Sequence, residues 1–365
     1  NSVRRGRKED YGMAQKALTP TRNGLIELLR FVFALVVLMV HTHGLNPPTA
    51  NYPFAGGYIA VEFFLILSGF FAAKQFLNVN ADFGKIAFSY SAKRFFNIAV
   101  AAFIPTLINY LVVYCNRDPE ELPYMFYEIL LTPMSGVYKT FVNLPLWYLS
   151  AYFICIPIFT YLIAKSKDFF VNIGSVIVPL IVYGIICRNN ECLDVWSFDC
   201  PIPFVGALRV MAGLCMGLNC YRLYGFMKNS FKPSLIKVLP YIGMVLTAVV
   251  LIYVYFFTKT YADYMLVLVL CAATACIFAG TPNKSVLNNK CFCFLGKWSM
   301  YIYLSHWTIR FIIPQVFTGL AYEQLVPIYL VVSLVYSLII MLASELFNKL
   351  IHHMLRKAAK NDTEV

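Results

Sequence analysis

Charged side chains are scarce in the long apolar stretches of this sequence. Those that occur there are the candidates for chemistry, because holding charge in hydrocarbon is costly and is kept mostly for function. The first stretch carries Glu27, Arg30 and His41. Eleven helical steps from Arg30 to His41 make three turns plus about 20° and rise about 16 Å, so both side chains point to one side. Arg30 then lies near one membrane surface and His41 near the other. That face offers a cation for an anionic group and an imidazole for moving a proton. The same spacing also allows a plainer arrangement, with Arg30 paired to Glu27 at i, i+3 and His41 closing the helix beside His43.

A second stretch holds Glu62 and Ser68. If it runs back from about Gly57, Glu62 reaches nearly the depth of His41. A carboxylate beside an imidazole fixes its tautomer and raises its basicity, as a general base requires. A buried carboxylate that only accepts structural hydrogen bonds is the other reading. His306 sits inside a later stretch with Tyr301, Tyr303 and Ser305 close by. It could polarise a carbonyl or bond an acceptor, or be a packed histidine satisfied by a serine hydroxyl. Arg209 and Arg310 also lie within apolar stretches, Arg310 near an end where a long side chain can snorkel.

These residues need elements to position them, and composition says which kind. The chain has 365 residues, 60% hydrophobic and 13% charged, well beyond the roughly half apolar usual in soluble domains. Ten stretches approach the roughly 20 residues that cross a bilayer: about 25–43, 57–73, 95–114, 147–164, 169–186, 204–220, 238–257, 263–280, 298–313 and 327–347. The expected fold is an all-α polytopic membrane bundle of about ten transmembrane helices. Residues 120–134 are apolar on one side only and read as an interfacial helix.

Charge placement orients the bundle. Of 30 Lys and Arg, 23 fall in alternate gaps beginning with the N-terminal tail, and four in the gaps between. Such alternation is the positive-inside pattern and places both ends in the cytoplasm. The expected organisation is a basic tail at 1–24, a membrane domain at 25–347 and a second basic tail at 348–365. The first apolar run, from Leu25, lacks a small-residue cleavage site and is expected to remain as a signal anchor. The net charge of +12 thus belongs to membrane topology, and nucleic-acid binding is not expected. The gap at 187–203 contains Cys187, Cys192 and Cys200, which allows one disulfide on an oxidising side. Cys155, Cys215, Cys220, Cys271 and Cys276 lie in apolar runs as packing thiols. Cys291 and Cys293 form a lone C-x-C, too little for a metal site.

The order R-x(10)-H from Arg30 to His41, then G-G-Y-I-A-V-E-F-F-L-I-L-S-G-F-F at 56–71, resembles the opening of the acyltransferase 3 family. The segment K-R-F-F-N-I-A-V-A-A-F-I-P at 93–105, L-W-Y-L at 146–149 and L-G-K-W-S-M-Y-I-Y-L-S-H-W at 295–307 agree with it. Two departures stand out: Glu62 occupies a position where the family usually has Asp, and the family's R-x-x-R reads Arg94-x-x-Asn97 here.

The resemblance implies an integral membrane O-acyltransferase. An acyl-CoA donor, acetyl-CoA by family habit, would rest its phosphates on Lys93 and Arg94 where the inner loop meets the third helix, with Arg30 deeper. His41 would be the general base, oriented by Glu62, and the acceptor an extracytoplasmic carbohydrate or lipid-linked hydroxyl. Ser68, Trp147, Tyr301 and His306 are candidate substrate contacts, Trp147 being an interfacial anchor by position and a sugar platform by resemblance. The family implies residence in the plasma membrane. A transporter and a non-catalytic membrane sensor are the competing classes. A transporter would show paired broken helices in matching halves, and no such symmetry is visible in the sequence. The charge alternation itself is testable with single-cysteine variants in whole cells. An impermeant thiol reagent is expected to label a probe at Asn190 and to spare one at Ser230. The reverse pattern would invert the bundle.

Overall fold

Backbone polar groups in hydrocarbon have no water to bond, so a spanning chain must satisfy them within helices or a closed barrel. The computed structural model takes the helical solution and describes residues 22–77, 83–116, 124–132, 134, 142–196, 202, 204–280 and 289–361. These residues are overwhelmingly helical and contain no strand. In chain order the helices are α1 (Gly24–Val40), α2 (Ala60–Phe76), α3 (Phe83–Asn116), α4 (Tyr124–Ile129), α5 (Leu146–Lys165), α6 (Ser175–Asn190), α7 (Val205–Ser230), α8 (Pro233–Phe256), α9 (Asp263–Gly280), α10 (Lys290–Val316) and α11 (Tyr322–Asn361). Most of the expected basic tail at 1–24, and Cys200, lie outside the described residues. Cys187 and Cys192 are buried free thiols.

Each of the ten expected stretches falls on one of the long helices. Among the described residues, eight helical segments are long and apolar enough to cross a membrane by length and composition. The other two are α7 and α10, which hold Arg209, His306 and Arg310. Their lower hydropathy has a physical reason, since they carry polar groups buried inside the bundle. Helix α4 is the short element expected near 120–134, and it exposes Phe126 and Leu130 while burying Glu128. Glu128 accepts a hydrogen bond from the Tyr110 hydroxyl at 3.0 Å and from the Asn143 backbone N–H.

Two helix pairs set up the interior. Helices α2 and α7 touch along much of their length because glycines let their backbones meet. A Cβ on Gly69 would lie 2.1 Å from the Leu214 carbonyl oxygen, and one on Gly217 would lie 2.4 Å from that of Ile66. Small residues at helix crossings are how membrane helices gain van der Waals contact when lipid removes the hydrophobic drive. The second pair is α1 with α10, in extensive contact. There Gly296 makes room for Glu27, and Asn23 caps α1 by accepting the backbone N–H groups of Leu25 and Ile26.

A buried ion pair locks the first of these interfaces. Arg209 Nε donates to Glu62 Oε1 at 2.7 Å, and neither side chain is more than 1% exposed. The two terminal guanidinium nitrogens donate to the carbonyls of Val195 and Tyr58 at 3.2 and 3.1 Å. The second Glu62 oxygen accepts the Tyr183 hydroxyl of α6. One turn away Tyr58 donates to Asp263 of α9 at 2.8 Å, which also receives the Leu193 N–H. Breaking a buried pair from one side strands the other charge and costs about 3–5 kcal/mol, whereas replacing both by apolar groups can be neutral. Arg209→Ala is therefore expected to lower the melting temperature in detergent sharply, and Glu62→Leu with Arg209→Met to recover most of it. Equal loss in single and double variants would show that the pair does not act as a unit.

Candidate active site

His41 is the first residue of a tight turn, His41–Leu45, that follows α1. The turn is pinned at Thr42, whose hydroxyl donates to the Met39 carbonyl at 2.7 Å and meets the Tyr322 hydroxyl at 2.8 Å. It ends at Asn46, which adopts a left-handed backbone with φ 56°. Half-buried His41 therefore comes from a place where backbone geometry changes, held on both sides by hydrogen bonds.

His306 projects toward it from α10 and is fully buried. Its Nε2 stands 3.3 Å from His41 Nδ1. The tautomers follow from the carbonyls. His306 Nδ1 faces the carbonyl oxygens of Ile302 and Tyr303 at 3.1 and 2.8 Å, and a carbonyl can only accept, so Nδ1 carries the proton. His306 Nε2 is then an acceptor. His41 Nδ1 likewise faces the Val37 carbonyl at 2.8 Å and must donate, shared between that oxygen and His306 Nε2. The lone pair of His41 Nε2 is left free of any described hydrogen-bond partner, as a base needs. The Trp307 indole meets the His41 ring edge-on at 5.1 Å.

From His306 a line of tyrosines runs through the bundle. The Tyr303 ring lies 6.1 Å from His306 and 5.8 Å from Tyr148, and Tyr148 stacks on Tyr152 at 6.3 Å. Ser68 of α2 lies beside the Tyr148 hydroxyl. At the far end Arg94 donates to the Tyr152 hydroxyl at 2.5 Å and lies 4.5 Å over the Tyr90 ring. Among the described residues the ion pairs are Arg30 with Glu27, Arg209 with Glu62 and Lys297 with Glu345, so Arg94 has no carboxylate partner.

Several expectations are corrected by this arrangement. Glu62 does not orient His41, because its two oxygens are taken by Arg209 and Tyr183. A carboxylate in hydrocarbon pairs with a buried guanidinium before it serves a neutral imidazole. The signal was available, since Glu62 and Arg209 are opposite charges lying near the starts of α2 and α7. Arg94 does not mark a loop–helix junction, because α3 begins at Phe83 and carries it inside the bundle, while neighbouring Lys93 is exposed. Arg30 is paired with Glu27 at 2.9 Å, the plainer of the two arrangements its spacing allowed. Trp147 is 7% exposed, with Arg209 above its ring at 5.5 Å, and is not a surface anchor.

Tyr301 is buried in an apolar cluster with Ile340 and Met341 of α11. Five helical steps rotate it about 140° from His306, whereas three steps bring Tyr303 to the same face. His306 and Ser68 fall on the lane. Tyr148 and Tyr152, four apart on one helix face, are contributors the sequence reading had not singled out.

A membrane helix bundle that encloses an oriented imidazole must do its chemistry with its spanning helices. Its sequence matches the model of the acyltransferase 3 family, described as an acyltransferase domain, over residues 23–345, and the chain belongs to that family. It is thus a membrane acyltransferase by family. No curated protein and no solved structure matches it.

The histidine pair gives a test of positioning. His306→Leu removes the acceptor for His41 Nδ1–H and is expected to lower kcat for acyl transfer by about 10² with both KM values steady, the cost typical of a slightly misplaced catalytic group. His306→Gln keeps an acceptor oxygen and should lose less. Equal losses in the two variants would make His306 a packing residue only.

Proposed function

We propose that this protein moves an acyl group, acetyl in the first instance, from cytoplasmic acyl-CoA to a hydroxyl on the far side of the plasma membrane. The acceptor class is a carbohydrate or a lipid-linked equivalent. The observation that carries the reading is the tyrosine lane that runs from Arg94, which has no carboxylate partner among the described residues, through His306 to His41.

Arg94 supplies fixed positive charge and fork-shaped donors for a phosphate of the donor, the geometry in which Arg exceeds Lys. Tyr90 beneath it keeps the guanidinium plane in place. The hydroxyls and rings of Tyr152, Tyr148 and Tyr303, with Ser68, line the route for the thioester arm. Exposed Lys93 can draw the anionic donor to the membrane surface from the cytoplasm, and Arg30, tied to Glu27, adds only local field.

At the other end His41 Nε2 takes the proton of the acceptor hydroxyl as its oxygen bonds to the acyl carbon. The carbon–sulfur bond breaks and the imidazolium returns the proton to the departing thiolate. Val37 and His306 hold Nδ1–H throughout, so only one nitrogen is open to the reaction.

Two substitutions separate the ends. His41→Ala is expected to lower kcat by about 10²- to 10⁴-fold in a protein that still inserts and melts normally, the usual loss of a general base. Arg94→Ala should raise the KM for acetyl-CoA and leave the acceptor KM unchanged. Near-normal turnover in the first variant, or a rise in acceptor KM in the second, would overturn the assignment of that end.

A further inference from the structure

Beyond His41 the bundle carries a cation for which acyl transfer to a neutral sugar has no use. Arg310 lies one turn past His306 on α10 and is half-buried. No carboxylate lies within ion-pair distance of it among the described residues. Its Nη2 donates to His43 Nε2 at 3.0 Å, and its Nε is buried without a hydrogen-bond partner. The guanidinium rests 4.3 Å from the Trp307 ring centroid and 5.5 Å from that of Phe311. Gly44 is shaped around it, since a Cβ there would stand 2.2 Å from Nε.

These contacts hold the guanidinium still without neutralising it. His43, exposed at the end of the bundle, keeps its own Nδ1 on the Val40 carbonyl at 3.1 Å, so its Nε2 is free to accept from Arg310. Trp307 spans the two functions, touching His41 at its edge and Arg310 on its face. A fixed, uncompensated guanidinium beside a base calls for an anion on the molecule that brings the hydroxyl.

We propose that Arg310 binds an oxyanion of the acceptor, a carboxylate or phosphate close to the hydroxyl that is acylated. The acceptor is then an acidic sugar or sugar phosphate rather than a neutral glycan. This inference rests on His41 being the base.

Binding and chemistry are measured separately, on protein in phosphatidylcholine nanodiscs. Glucuronate, its methyl ester and glucose are the probes, and saturation-transfer NMR gives their affinities. Glucuronate is expected to bind about tenfold or more tighter than the ester, the scale of one charge-assisted hydrogen bond. Arg310→Gln should reduce glucuronate to the affinity of the ester, and Arg310→Lys should keep part of the preference. Should Arg310→Gln fail to fold, the lysine variant and the wild-type comparison carry the test alone. Equal affinity for glucuronate and the ester in wild type overturns the proposal. Anionic lipid is the other source of such an oxyanion. If adding phosphatidylglycerol to the nanodiscs abolishes the preference, the site belongs to a headgroup and the proposal also fails. His41→Ala should keep the preference intact while losing turnover. A preference for glucuronate in a protein that releases no thiol from acetyl-CoA with any probe would sink the acyl-transfer reading and leave the Arg310 site standing.

Discussion

Two opposite charges buried in hydrocarbon have to find each other, and in this bundle the pairing of Glu62 with Arg209 settles much of the rest. Each ion alone would cost several kcal/mol. Together, with Tyr183 donating to the carboxylate and the Tyr58 and Val195 carbonyls accepting from the guanidinium, they form a network in which every Arg209 nitrogen and both Glu62 oxygens have a partner. The network ties α2, α6 and α7 into one block, and the Gly69–Gly217 crossing presses α2 and α7 together. The polar satisfaction and the close packing support each other, because a wider crossing would pull the carboxylate from the guanidinium.

With Glu62 committed to that block, the imidazole at His41 has to be oriented by neutral groups. The Val37 carbonyl and His306 do this without bringing further charge into the membrane. A carbonyl cannot receive a proton, so it selects the tautomer and takes no part in the transfer. His306 is selected in the same way by two carbonyls of its own helix. The orientation of the His41 ring thus derives from helix backbone, which is the most rigid scaffold available.

How much of this was legible in the sequence follows from what each signal depends on. The long helices were readable because length and hydropathy answer to the bilayer alone. His41 stood out by its spacing to Arg30, but nothing in that spacing pointed to His306 as its neighbour. The mate of Glu62 was missed because depth along a span says nothing of which helices lie side by side. Arg94 was placed too shallow because the helical run from Phe83 includes Lys85, Ser89 and Lys93, whose polarity looked like loop. Trp147 was misread for a related reason, since an aromatic near a helix start looks interfacial until a buried arginine is found above it. In each case the pairing between distant segments was the missing quantity.

Four arginines within the described helices divide by their partners. Arg209 and Arg30 have carboxylates, which balance their charge inside the protein. Arg94 and Arg310 have aromatic rings and hydrogen-bond acceptors instead. Cation–π contact returns about 0.5–2 kcal/mol, less than an ion needs to leave water. Among the described residues neither charge is balanced by a carboxylate. Their positions give the reason, since one lies at each end of the path through Tyr152, Tyr148, Tyr303, His306 and His41. In the reading proposed above, the phosphate of the donor and the oxyanion of the acceptor would supply the balancing charge at the two ends, so each arginine would be neutralised by a substrate and not by the fold.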